Sequence, residues 1–173
     1  MGKMTIGAVL GVSMGLAVAA PASAFMLHNK GNSNVCLGVA GGDSSMANGT
    51  ALIVWGCDSN ALNQRWSWAP FPGTSSWTSA YKELKNGANS NKCLDVSGEA
   101  TNNGAALNIW DCDSTRFGQG WFSYPADPQG CLYIENYNSA RWVGVAGGNV
   151  QQGKTVVQWD QLAGHNDQLW CPQ

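Results

Sequence analysis

The chain has 173 residues, a net charge of −2 and only 12 % charged side chains, with no basic stretch anywhere. So weak an acidic balance excludes a nucleic-acid surface and an anionic-lipid surface. Abundant Gly, Asn, Ser and Trp suit a turn-rich β protein better than a helical one.

Lys3 is the only charged side chain before His28, and Met4 to Ala20 is a run of small and apolar residues. Pro21-Ala22-Ser23-Ala24 then supplies a helix breaker and a small-x-small cleavage pattern. This predicts a secretory signal peptide over residues 1–24. An uncleaved anchor is the alternative, but the run is short and Gly-rich for a spanning helix. No later stretch is apolar and long enough for membrane insertion. Cleavage after Ala24 takes the charge from −2 to −3 and leaves 25–173, enough for one domain with a real core.

Six cysteines (36, 57, 93, 112, 131 and 171) all lie beyond the leader. An even count behind a signal peptide points to disulfides in an oxidising compartment. A metal site is disfavoured, because there is no Cys-x-x-Cys, and His28 and His165 lack ligand-like spacing.

Self-similarity organises the rest. With Trp66, Trp121 and Trp170 as anchors, a glutamine stands two residues before each: Gln64, Gln119 and Gln168. Eleven before stand Trp55, Trp110 and Trp159; seventeen before stand Gly49, Gly104 and Gly153. Upstream, Cys36-Leu37-Gly38-Val39, Cys93-Leu94-Asp95-Val96 and Trp142-Val143-Gly144-Val145 superpose. The repeats run approximately over 27–68, 84–123 and 133–173. Pro-, Gly- and Ser-rich linkers, Ala69 to Ala80 and Pro125 to Gly130, separate them.

Each unit alternates like short strands, as in Cys93–Val96 and Ala106–Trp110, with no sustained helical period after the leader. Asn48-Gly49 and Asn103-Gly104 predict tight hairpins in which both residues take positive φ; Gln152-Gly153 matches them. One repeat cannot bury its own apolar face. The expected fold is therefore all-β: three pseudo-symmetric repeats of about four strands each, closed into a barrel without open edges.

The second repeat reads C-L-D-V, N-G, N-I-W-D-C and Q-G-W, which resembles the ricin B-type lectin unit with its repeated Q-x-W. The resemblance spans all three repeats. It implies a β-trefoil, shallow sugar sites up to one per repeat, no cofactor and no catalysis. It also implies pairing within a repeat, Cys36 with Cys57 and Cys93 with Cys112. Trp142 and Gln161 hold those positions in the third repeat. Cys131 and Cys171 remain, and they flank strands expected to be barrel neighbours, so they are paired.

The family's sugar ligands are a strand aspartate, the aromatic before W-D-C and an Asn-Gln step. A carboxylate accepts from paired hydroxyls, and a ring stacks on the C–H face of a pyranose. Carried over, the second repeat keeps Asp95, Asn108, Trp110 and Gln119, with Gly118 for asparagine. The first keeps Trp55, Asn63 and Gln64, with Gly38 for the aspartate and Asp43 as a substitute acceptor. The third keeps Trp159 and Gln168, with Asp167 for asparagine and Gly144 for the aspartate. The second is expected to be the best site.

The duller readings differ by column. Trp66, Trp121 and Trp170 are expected in the core. The three glutamines suit bracing of turn backbone better than sugar contact, whereas Trp55, Trp110 and Trp159 suit packing and stacking equally. Trp68 and Trp77 lie near a linker, without an assigned place. No Gly-x-Ser-x-Gly elbow or zinc-type spacing suggests an enzyme. The expected function is a secreted, non-catalytic, carbohydrate-binding lectin. The alternative is a β-trefoil with degenerate sugar sites serving as a protein-interaction module, such as an inhibitor or a toxin's delivery subunit.

Overall fold

The structure, a computed structural model, describes residues 23–71 and 80–173. Most of the leader and Trp77 fall outside the described residues, in which no helix is long and apolar enough to cross a membrane.

Twelve strands follow one another with only 3-10 turns between them. The first unit holds β1 (Phe25–Asn29), β2 (Asn32–Val39), β3 (Thr50–Gly56) and β4 (Arg65–Pro70). The second holds β5 (Lys82–Asn86), β6 (Lys92–Val96), β7 (Leu107–Asp111) and β8 (Trp121–Pro125). The third holds β9 (Leu132–Asn136), β10 (Trp142–Val145), β11 (Val156–Trp159) and β12 (Trp170–Pro172).

The first and last strands of each unit form a closed antiparallel ring: β1 pairs β4, β4 pairs β5, β5 pairs β8, β8 pairs β9, β9 pairs β12, and β12 returns to β1. The middle strands form three hairpins, β2–β3, β6–β7 and β10–β11, which cap one end. The hairpins are joined by β3–β7 pairing and by bridges Ile53–Thr155 and Ala106–Val157. This is the β-trefoil arrangement.

Trp66, Trp121 and Trp170 are fully buried at its centre. Each indole N–H donates to the carbonyl of its own repeat's second strand: Leu37 at 3.0 Å, Leu94 at 3.0 Å and Val143 at 2.9 Å. The one polar atom of a large core ring is thus satisfied, and truncating such a ring to alanine costs on the order of 3–5 kcal/mol. Trp68 packs at the core's margin against Phe25, ring centroids 6.3 Å apart.

The Asn-Gly expectation is corrected. Gly49 and Gly104 take positive φ, but Asn48 and Asn103 do not, and the two-residue hairpin is absent: β2 and β6 each reach their partner through a loop of about ten residues. The asparagine side chains are used between repeats instead. Asn48 Nδ2 donates to Asp111 at 2.8 Å, and Asn103 Nδ2 to Asp160 at 2.7 Å.

The disulfides are Cys36–Cys57, Cys93–Cys112 and Cys131–Cys171, which fit an extracellular protein. In the third repeat Trp142 stands at the cysteine position and packs on Tyr133 and Tyr124, at 4.1 Å and 5.8 Å between centroids.

Candidate carbohydrate-binding sites

Each repeat brings three elements to one place: the third residue of the C-L-D-V strand, the tryptophan at the end of the hairpin, and a 3-10 turn ending in the Q-x-W glutamine. The turns are Leu62–Gln64, Phe117–Gln119 and Asn166–Gln168. The glutamines are buried, and both ends of each carboxamide hold main chain. Gln64 donates to Gly56 O at 2.9 Å and accepts from Asp58 N at 3.0 Å. Gln119 does the same with Asp111 O and Asp113 N, and Gln168 with Asp160 O and Leu162 N. The column is explained by this clamp, which fixes the loop behind the tryptophan.

A second buried column escaped the sequence reading. Asn86 Nδ2 donates to Asn63 O at 2.9 Å, Asn136 Nδ2 to Gly118 O at 3.0 Å, and Asn29 Nδ2 to Asp167 O at 2.8 Å. Each site turn is therefore hung on the following repeat, and the third on the first. An asparagine closing each of β1, β5 and β9 was the available signal, but its distance to the anchor tryptophan varies.

The three sites differ in where the polar group originates. In the second repeat Asp95 projects from β6 and is fully buried, and Gly118 faces it: a Cβ there would stand 3.3 Å from Asp95 Oδ1. In the first and third, the strand carries Gly38 or Gly144, and the turn supplies Asn63 or Asp167. A Cβ on Gly38 would stand 3.4 Å from Asn63 Nδ2, and one on Gly144 would stand 3.4 Å from Asp167 Oδ2. The space holds one polar side chain, from either wall, and the opposite wall is glycine.

Asp95 is not free. Arg116 pairs with it, Nη2 to Oδ2 at 3.0 Å and Nη2 to Oδ1 at 3.3 Å, and the guanidinium lies 5.1 Å from the centre of the Trp110 ring. Burial raises the Asp95 carboxyl above its ordinary range, and the Arg116 guanidinium only partly offsets this. Arg116 in turn is held above its usual value by its hydrogen bond to Asp95. Glu99 accepts from Gly118 N at 3.2 Å. Asn108 lies opposite Asp95 on the paired strand, and its buried Oδ1 has no hydrogen-bond partner. The second repeat thus brings Asp95, Asn108, Trp110 and Gln119 together, but Arg116 lies over the Trp110 ring and pairs with Asp95.

The other two are open. In the first repeat Trp55, 48 % exposed, lines a cavity with Val39, Ile53, Asn63 and Gln64. Asn63 Nδ2 donates to Val39 O at 2.8 Å, and Asp43 is engaged bracing Asn63 N at 2.6 Å, as Glu99 braces Gly118. In the third, Trp159, 41 % exposed, lines a cavity of about 210 Å³ with Val157, Leu162, His165, Asp167 and Gln168. His165 Nδ1 lies 3.4 Å from Asp167 Oδ1. Arg116 and Leu162 were not singled out from sequence, and His165 was considered there only as a metal ligand.

The sequence model of the ricin-type beta-trefoil lectin domain matches residues 23–170. No curated protein matches the chain. Among solved structures, the designed threefold-symmetric protein ThreeFoil superposes with a TM-score of 0.73 at 21 % identity, over 86 % of this chain and 96 % of its own. An exo-beta-1,3-galactanase from Clostridium thermocellum gives 0.72 at 24 % identity, over 86 % of this chain and 29 % of its own. A Polyporus squamosus lectin, bound to the human-type influenza-binding epitope Neu5Aca2-6Galb1-4GlcNAc, gives 0.65 at 18 %, over 89 % and 49 %. The chain spans less than half the length of these last two, and at such identities the likeness is one of fold. The family match covers nearly all of the described residues, and the protein belongs to the ricin-type β-trefoil lectin family.

Proposed function

We propose that the protein is a secreted, non-catalytic lectin that binds neutral sugars at its first and third repeats, with the second repeat closed by Arg116. The observation that carries this reading is the pair of exposed rings, Trp55 and Trp159, each beside a cavity that a strand glycine leaves open to a side-chain amide or carboxylate. A ring face for pyranose C–H groups and a fixed polar group for hydroxyls are what a neutral sugar needs.

Secretion is supported by the leader-like N-terminus and the three disulfides. A non-catalytic role is supported by the state of the neighbouring carboxylates in the second repeat. Glycoside hydrolysis requires two available carboxyl groups, whereas Asp95 is paired with Arg116 and Glu99 braces Gly118. With few groups converging, each site is expected to be weak, on the order of millimolar, and to rely on multivalency.

Glycan-array binding by the oxidised protein, compared with Trp55→Ala, Trp159→Ala and Trp110→Ala, tests the reading. Binding should fall in the first two variants and persist in the third. The Asp95–Arg116 pair over Trp110 favours the second reading, a protein-interaction module. Failure of the folded protein to bind any glycan would select it.

A further inference from the structure

Beside the Trp159 cavity runs a second groove, between the third repeat and the β1–β2 turn of the first, where Gly31 and Asn32 form the far wall. The two depressions share Gly148, His165 and Asp167 in their linings. They therefore adjoin at Asp167 as two halves of one candidate surface.

Its halves differ in chemistry. The first is floored by Trp159, Val157 and Leu162 and suits the apolar face of one ring. The second is lined by the exposed residues Asn149, Gln151 and Asn166. Among the described residues their side-chain amides make no hydrogen bond, whereas the Asn32 amide is committed to Val150 O and Asn34 N. Three uncommitted carboxamides, each both donor and acceptor, match the alternating donor and acceptor character of sugar hydroxyls. Neither half is lined by lysine or arginine, so nothing there selects an anionic sugar.

Asp167 is placed to serve both halves. Its carbonyl is fixed by Asn29, and its carboxylate lies beside Gly144 on one side and Gly148 on the other, where added Cβ atoms would stand 3.4 and 3.8 Å away. We infer that the third repeat recognises a neutral oligosaccharide of at least two sugar units, one stacked on Trp159 and the next seated among Asn149, Gln151 and Asn166, with Asp167 accepting hydroxyls at the junction. The inference rests on the proposed lectin reading of this repeat and adds the ligand's length and charge class.

The test is calorimetric titration of the full oxidised protein carrying Trp55→Ala, which silences the first repeat. The probes are glucose, galactose, mannose and N-acetylgalactosamine, and the neutral disaccharides lactose, cellobiose, maltose and laminaribiose. At least one disaccharide should bind about tenfold tighter than its component monosaccharides. The double variant Asn149→Ala/Asn166→Ala, with an unchanged unfolding midpoint, should erase that gain and leave monosaccharide affinity within about twofold. Monosaccharide binding without a disaccharide gain, or a gain that survives the double variant, overturns the inference and leaves the lectin reading standing. No binding by any probe, when the protein with its Trp55 intact is equally silent, overturns both.

Discussion

Asn29, the last residue of β1, donates from Nδ2 to the main-chain carbonyl of Asp167, 2.8 Å away and 138 residues later in the chain. Its Oδ1 accepts from Gly31 N at 2.9 Å, so one buried amide fixes both its own turn and the turn that presents the third site. With Asn86 on Asn63 and Asn136 on Gly118, three such contacts run cyclically around the barrel. The threefold symmetry therefore also links the candidate sites, since each site turn is held by an amide from another repeat.

Removing one of these amides leaves a buried carbonyl without a partner, which costs about 1–3 kcal/mol. Asn29→Ala and Asn86→Ala should both lower the unfolding free energy measured in guanidinium by that amount. Their effects on binding should separate: Asn29→Ala weakens sugar binding at Trp159, and Asn86→Ala weakens it at Trp55. Equal effects on both sites would show that the amides act only on global stability.

The exchange of polar group and glycine across each site predicts strong coupling. Gly144→Asp copies the strand aspartate of the second repeat into the third, but the new side chain meets Gln168 Cγ at 3.0 Å and the Asp167 carboxylate at 3.4 Å from its Cβ. Overpacking and like charge should cost about 1–3 kcal/mol. Gly144→Asp with Asp167→Gly recreates the pairing of Asp95 with Gly118 and should recover most of the loss. A double-mutant cycle that comes out additive would contradict the exchange.

The repeat register was legible because tryptophan, glutamine and glycine recur at fixed spacing, and the core and the ring of strands follow from it, whereas the Cys36–Cys57 and Cys93–Cys112 bridges were implied by the family resemblance. Less legible was which way a polar strand residue would be used. Asp95 looks like a free acceptor in sequence, yet Arg116, 21 residues later, closes over it. The Asn29, Asn86 and Asn136 column was hidden because turn lengths differ between repeats. Asn48-Gly49 misled for a related reason: the local dipeptide suggests a tight turn, while the side chain's inter-repeat partner, Asp111, lies 63 residues away.

Asp95 should leave a signature in the pH dependence of stability. Its carboxyl is raised in the folded state, mainly by burial. Between the unfolded value near 3.8 and the higher folded value, the native state holds more protons than the unfolded state, so this group makes stability fall as pH rises through that window. Asp113 and Asp127 are lowered, chiefly by hydrogen bonds from Thr115 and Lys30, so their contribution is present at neutral pH and lost as pH falls below the usual carboxylate range. Subtracting the Asp95→Asn curve from the wild-type curve isolates the first effect. Wild type should gain relative to the variant as pH is lowered, and a flat difference would mean Asp95 is not desolvated.

The third repeat lacks the hairpin disulfide of the other two, and Cys131–Cys171 instead joins the ends of its first and last strands, next to the Trp170–Leu132 pairing of β9 with β12. The residues joined are 40 apart, against 21 and 19 for the other bridges. In the chain-entropy account, closing the longer loop is worth about 4 kcal/mol and each shorter one about 3 kcal/mol. The third repeat also has Trp142 where the others have Cys36 and Cys93, stacked on Tyr124 and edge-on to Tyr133. Two effects therefore oppose: loop length makes the third bridge more valuable, and the aromatic packing holds part of the repeat without it. Because Trp142 sits on β10 and the bridge ties β9 to β12, the packing does not restrain the ring itself, and loop length should prevail. Cys131→Ser/Cys171→Ser should then lose more stability to guanidinium than Cys93→Ser/Cys112→Ser. Adding Trp142→Ala should lower both variants further. A smaller loss for the Cys131/Cys171 pair would show that the aromatic cluster, and not the bridge, closes the barrel.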